Sequence, residues 1–179
     1  QSETGVELRV HPTLIPEQKQ LATVDGVLNA VMISGSAVGE VVLVGPGAGG
    51  PATASSVCAD IIDVARHSNG TGPTMGLPAN KLSAQPLIPS GEIASEWYVR
   101  LTVVDRPGVM SDITQVLVDR GISIDSLVQK APEAGQREVP IVLLTHRAAE
   151  SVITDAVDEI TAFEEVRAEV ALLRVETFE

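Results

Sequence analysis

The order in which the hydrophobic period changes along residues 97–175 constrains this chain more than any other feature. Residues 97–104 alternate, Val99, Leu101 and Val103 against Tyr98, Arg100 and Thr102, as a strand with one covered face does. Asp105-Arg106-Pro107-Gly108 breaks that run. Residues 109–120 then change to helical spacing, with Ile113, Val116 and Leu117 at i, i+3 and i+4, and Gly121 closes the helix. The pattern predicts a second strand over 122–130, a turn at Glu133-Ala134-Gly135-Gln136 and a third strand over 139–145. A second helix follows over 148–163, with Val152, Ile153, Ala156, Val157 and Ile160 on one face, and a fourth strand over 170–175. The βαββαβ order points to a ferredoxin-like sheet with two helices on one face.

Upstream the signals thin out. Residues 6–15 have strand composition and stop at Pro16, and the runs 27–33 and 38–44 flank Ser34-Gly35-Ser36 as a β-hairpin. The turn Gly45-Pro46-Gly47-Ala48-Gly49-Gly50 leads to a helix over 53–66, with Thr53 as its expected N-cap and Gly70 just beyond its end. Residues 68–95 hold four Gly and four Pro with no sustained period, which reads as a linker and as the covalent route between its flanks. The expected division is therefore 1–67, 68–95 and 96–179, in an α+β chain. One helix and a few strands bury little surface, so residues 1–67 read as the end of a larger domain.

Charge narrows the functional classes. Twelve Lys and Arg against 24 Asp and Glu leave a formal net charge of −12, of which residues 96–179 carry −8. That balance repels a phosphate backbone, and only Trp97, Tyr98, Phe163 and Phe178 are aromatic, so no nucleic-acid partner is expected. Cys58 stands alone, which excludes an intrachain disulfide and reads as a small buried helix residue. His11, His67 and His146 lack metal-pair spacing, so no metal site is expected. With no apolar run of membrane length and no leader ahead of Gln1, the expectation is a cytoplasmic chain without a membrane partner. The missing initiator Met suggests a piece trimmed from a longer product.

Two motifs carry chemistry. Gly45-x-Gly47-x-x-Gly50 follows a strand and opens a helix, but a dinucleotide-binding βαβ unit needs a second parallel strand where the Gly- and Pro-rich segment lies. What remains is either a tight structural turn or glycines that admit an anionic or planar ligand to a helix N-terminus. At Asp105-Arg106-Pro107-Gly108 the choice is between a helix-entry turn, with Asp105 satisfying local donors, and a seat for a small amino acid. Paired acids such as Asp158-Glu159 and Glu164-Glu165 read as a solvated face.

Several separated motifs resemble the end of the catalytic region of homoserine dehydrogenases: His11-Pro12-Thr13-Leu14-Ile15-Pro16, Val24-Asp25-Gly26-Val27-Leu28-Asn29-Ala30-Val31, and Gly45 to Gly50 followed by Thr53-Ala54-Ser55. Residues from Trp97 to Val175, with Asp105-Arg106-Pro107-Gly108-Val109-Met110, resemble an ACT regulatory domain. The resemblance implies an NAD(P)-dependent oxidoreductase interconverting homoserine and aspartate 4-semialdehyde on the route to threonine, methionine and isoleucine. NADP or NAD would belong to the whole enzyme, with none held tightly by this piece, and Gly49, Gly47 and Gly50 would lie beside the nicotinamide end. The ACT resemblance implies an amino-acid effector, threonine by pathway, at Asp105, Pro107, Gly108, Val109 and Met110, in a homo-oligomer paired through sheet and ACT contacts. No catalytic residue carries over, because the family's Rossmann domain and catalytic Lys and Asp have no counterpart here, and the piece alone is expected to be inactive. The alternatives are a stand-alone amino-acid-binding module and a domain that only joins subunits.

Overall fold

In the computed structural model the described residues are 5–66, 81, 83–129 and 137–178. They fall into two compact units, one holding the described residues of Gln1–Ile15 and Gln85–Glu179, the other those of Pro16–Ala84. The turn expected at 133–136, Gly70, and most of residues 68–82 lie outside the described residues.

The first unit is the ferredoxin-like one, and the α+β expectation holds. Its strands are β1 (Thr13–Leu14), β4 (Ala94–Val104), β5 (Ile124–Gln129), β6 (Glu138–Ala149) and β7 (Ala171–Val175), with helices α2 (Val109–Asp119) and α3 (Glu150–Thr161). The sheet order is β1-β7-β4-β6-β5. β4 runs antiparallel to both β6 and β7, and β5 antiparallel to β6. Period-2 alternation puts Ser95, Trp97, Val99, Leu101 and Val103 of β4 on the buried face, where the four apolar ones join Val139, Ile141 and Leu143 of β6. Ile113, Val116 and Leu117 of α2 and Ile153, Ala156, Val157 and Ile160 of α3 complete the same core, so the helical stripe read from the sequence is the stripe that is buried. Gly121, at φ +67°, ends α2 in a Schellman motif: the Ile122 N–H donates to the Leu117 carbonyl and the Gly121 N–H to that of Val118, both at 2.9 Å.

The division of the chain departs from the expected one at two places. Residues 6–15 do not form one strand: Val6 makes a parallel bridge to Leu87, and only Thr13 and Leu14 join the sheet, parallel to Arg174 and Val175. Pro12 has no N–H to give a ladder, and Leu8 and Val10 stay exposed. Residues 85–95 are not linker either, since Ile93 and Ser95 are buried in the first unit. The chain therefore crosses between units twice, at Ile15–Pro16 and at Ala84–Gln85, and residues 68–95 are not the only covalent route.

The second unit holds β2 (Leu28–Gly35), β3 (Gly39–Pro46) and α1 (Gly50–Arg66). β2 and β3 form the expected antiparallel hairpin, closing with Gly35 opposite Gly39. The residues after Arg66, where a βαβ unit would need its second parallel strand, lie outside the described residues. The helix begins three residues earlier than expected. Thr53 is inside its first turn, donating its N–H to the Gly49 carbonyl at 3.1 Å, so Thr53 is not the N-cap. None of the described residues of this unit is buried. Val31 and Leu43 of the hairpin, and Val57, Ile61 and Val64 of α1, are each more than half exposed. Cys58 is exposed as well, contrary to the buried side chain expected, because nothing among the described residues covers α1's apolar face.

The contrast predicts different responses to truncation. Ile141→Ala, at a fully buried position, is expected to cost about 2–5 kcal/mol in denaturant unfolding of this chain. Val57→Ser on α1 is expected to stay within about 0.5 kcal/mol of the parent in the same measurement.

Candidate functional site

The Gly-rich turn divides its glycines by physical cause. A Cβ on Gly47 would lie 1.6 Å from Asn29 Nδ2, and the Gly47 N–H donates to the Val27 carbonyl at 3.0 Å, so the packing of the hairpin end accounts for that glycine. Gly49 is different. It sits at φ +116°, with nothing within 4 Å of where a Cβ would be. Gly50 also faces open space and starts α1, whose first turn holds no acidic side chain. Gly49 and Gly50 thus form an accessible helix N-terminus with amides ahead of the first helical hydrogen bond, an arrangement that accommodates an anionic or polar planar group.

The β4–α2 turn is also built around one left-handed glycine. Gly108, the N-cap of α2, has φ +101°, and a methyl group in place of its α-hydrogen would meet no atom within 4 Å. Its carbonyl accepts the Asp112 N–H at 3.0 Å, which leaves Val109, Met110 and Ser111 ahead of that first helical bond. No side chain caps the helix, so Asp105 does not satisfy its donors; the Asp105 N–H instead donates to the Arg137 carbonyl at 2.8 Å. Asp105, Pro107 and Gly108 come together on an exposed turn, whereas Val109 is 3% exposed and Met110 packs against the core. Side-chain contact with a ligand is therefore open to Asp105 and Pro107, while the Val109 N–H already donates to the Arg106 carbonyl at 3.4 Å, leaving the Met110 and Ser111 amides at the start of the helix. The acidic residues nearby have structural partners: Arg106 pairs with Glu165, and Arg120 Nη2 with Glu159 Oε2 at 2.5 Å.

A polar cluster that sequence reading passed over lies where β1 meets the sheet. Arg174 stands opposite Trp97, with its guanidinium carbon 4.9 Å from the ring centroid and Nη2 2.5 Å from Glu150 Oε2. Arg9 Nη1 donates to Ser95 Oγ at 3.1 Å. His11, beside them, has its pKa held below the ordinary 6.5, first by desolvation and then by the charges of Arg174 and Arg9, with Glu150 opposing. One signal was present: Arg174 alternates with the apolar residues of its strand, a cation on the side of the sheet that Trp97 and Leu172 share. Among the described residues no group of three or more His, Cys, Asp or Glu is arranged to hold a metal, and no helix is long and apolar enough to cross a membrane.

Comparison with known proteins adds to this geometry. Residues 2–62 match the homoserine dehydrogenase family model and residues 97–165 the ACT domain model. The chain is 42% identical over 98% of its length to a homoserine dehydrogenase of Pseudomonas aeruginosa, and 41% identical over 97% to one of Neisseria gonorrhoeae. It covers 41% and 40% of those proteins, so it spans about two-fifths of the relatives it matches. The crystal structure of a homoserine dehydrogenase from Thiobacillus denitrificans superposes on 98% of the chain with a TM-score of 0.83 at 41% identity, using 40% of that protein. The chain resembles the C-terminal portion of these enzymes. The homoserine dehydrogenase match includes residues 5–15, which the three-dimensional structure groups with the ACT-like unit.

Two measurements follow. Gly108→Val places a β-branched residue at φ +101° and is expected to destabilise the first unit by about 1–3 kcal/mol in thermal or denaturant unfolding. A histidine whose folded pKa is below its unfolded value binds fewer protons when folded, so the stability it contributes is present above 6.5 and is lost as pH falls towards the folded pKa. Thermal melts between pH 7.5 and 5 are expected to lose less stability in His11→Gln than in the parent.

Proposed function

We propose that this chain is the C-terminal portion of a homoserine dehydrogenase, the NAD(P)-dependent oxidoreductase of L-homoserine and L-aspartate 4-semialdehyde, and that its ACT unit senses an amino acid. The observation that carries the reading is the asymmetry between the units: one has a complete aliphatic core, while no described residue of the other is buried. A finished sensor joined to an unfinished catalytic piece accounts for both. The exposed apolar residues of the hairpin and α1 are then surfaces that the rest of the enzyme covers. On this reading residues 16–66 belong to the end of the catalytic region, and the described residues of 85–178, with 5–15 packed on the same sheet, to the regulatory unit.

Gly49 and Gly50 fit the approach of a nicotinamide end, and Gly47 serves by letting Asn29 pack beneath the turn. The cofactor would supply the hydride acceptor or donor. Its ribose and phosphate contacts need groups outside these residues, which supports the expectation that the chain by itself neither holds NADP or NAD tightly nor turns over substrate. At the β4–α2 turn the carboxylate of an effector meets the α2 amides and its ammonium meets Asp105. Threonine is the effector that fits the pathway, and a cytoplasmic homo-oligomer sharing sheet and ACT contacts fits the family. A stand-alone amino-acid-binding module would suit the complete core of the first unit but leaves the open faces of the second without a purpose.

Calorimetric titration of the chain with L-threonine, against methionine, isoleucine and homoserine, tests the sensor. Saturable binding selective for threonine is expected, weakened in Gly108→Val. The catalytic half of the reading is checked by assaying the chain with cofactor and semialdehyde. No turnover is expected, and a rate comparable to that of a whole homoserine dehydrogenase would sink it.

A further inference from the structure

A cavity of about 420 Å³ opens in the first unit where residues 9–13 run along the edge of the sheet, away from the β4–α2 turn. Arg9, His11 and Thr13 line it from the crossing segment, Ser95 from β4, Arg174 from β7 and Glu176 just beyond. Its cations are incompletely matched. Arg9 gives Nη1 to Ser95 Oγ, but its Nη2 lies 3.6 Å from Glu7 and 3.7 Å from Glu176, beyond hydrogen-bonding distance. Arg174 is ion-paired through Nη2 with Glu150, and its Nε, like Glu150 Oε2, is buried without a hydrogen-bond partner among the described residues, so Arg174 contributes charge to the cavity and Arg9 contributes the reachable donor. His11 lines the same cavity, its pKa lowered first by desolvation and then by the charges of Arg174 and Arg9, with Glu150 opposing. Donors of this kind suit a carboxylate, the hydroxyls of Thr13 and Ser95 suit its flank, and Glu176 offers an acceptor for an ammonium group.

We propose that this cavity binds a small α-amino acid, its carboxylate held by Arg9 in the field of Arg174 and its ammonium by Glu176, as a second amino-acid site separate from the β4–α2 turn. The amino-acid chemistry rests in part on the sensor reading above, while the location rests on the cavity, the Arg9 Nη2 donor and the facing Glu176 carboxylate. The site has a consequence for regulation. Residues 9–13 lead through Ile15 directly into the second unit, so an occupant bridging Arg9 to Ser95 and Arg174 pins one of the two covalent crossings to the regulatory sheet.

The test combines calorimetry with the ring resonances of His11, read by NMR in the folded chain titrated with L-threonine and L-homoserine. 3-Hydroxybutyrate, which lacks the ammonium, and inorganic phosphate are the control probes. Binding that moves the His11 resonances is expected in the parent and in Gly108→Val, weakened roughly tenfold or more by Arg9→Gln and by Glu176→Gln. Preference for the amino acid over 3-hydroxybutyrate is expected to vanish in Glu176→Gln. Still His11 resonances with every amino acid would overturn the cavity site, as would phosphate binding there as well as threonine does. Heat that disappears in Gly108→Val but is untouched by Arg9→Gln would overturn it too, and would leave the sensor reading at the turn standing.

Discussion

Everything in the first unit hangs on the pleat of β4. Its eleven residues pair with β6 on one side and β7 on the other, so it is the central strand through which the sheet is hydrogen-bonded. Period-2 alternation commits Trp97, Val99, Leu101 and Val103 to one face, and both helices must cover that face or leave it wet. A slip of one residue would turn Tyr98, Arg100 and Thr102 inwards. The exposed β4–α2 turn is a by-product of the same constraint, because α2 must start immediately after β4 to lay Ile113 and Leu117 on the buried face. Gly108 takes the left-handed conformation that makes so short a connection possible.

The second unit shows what happens when local structure forms without a core. Hairpin and helix satisfy their backbone hydrogen bonds internally, so both are present, yet their apolar side chains have nothing among the described residues to pack on. Secondary structure here reflects local pairing and turn chemistry. Stability of a domain needs apolar area removed from water, and that is missing from this unit taken by itself.

The polar edge at β1 joins these two themes. Two residues of backbone pairing, Thr13 with Arg174 and Leu14 with Val175, attach to the sheet of the first unit a segment that matches the homoserine dehydrogenase family model rather than the ACT one. Around that short ladder stand His11, Arg9, which donates to Ser95 Oγ, and Arg174, which pairs with Glu150. Sequence similarity and spatial packing therefore divide the chain at different points, and the difference sits at one of the two covalent crossings between the units.

Periodicity alone determined the βαββαβ order, the buried stripes of α2 and α3, the hairpin of residues 27–33 and 38–44 and the glycine stop at Gly121, because each depends on residues close in sequence. The Gly-rich turn and the Asp105–Gly108 turn could be located in the same way, but not sorted. It took the fold to show that Gly47 answers to Asn29, eighteen residues away, and that Gly49 and Gly108 answer to backbone torsion. Only tertiary structure could put residues 5–15 in the first unit, expose Cys58, and set Arg9 beside Ser95 across 86 positions of chain. Pairing at that separation leaves no local period behind it, and whether an apolar helix face is covered depends on what the rest of the fold brings to it.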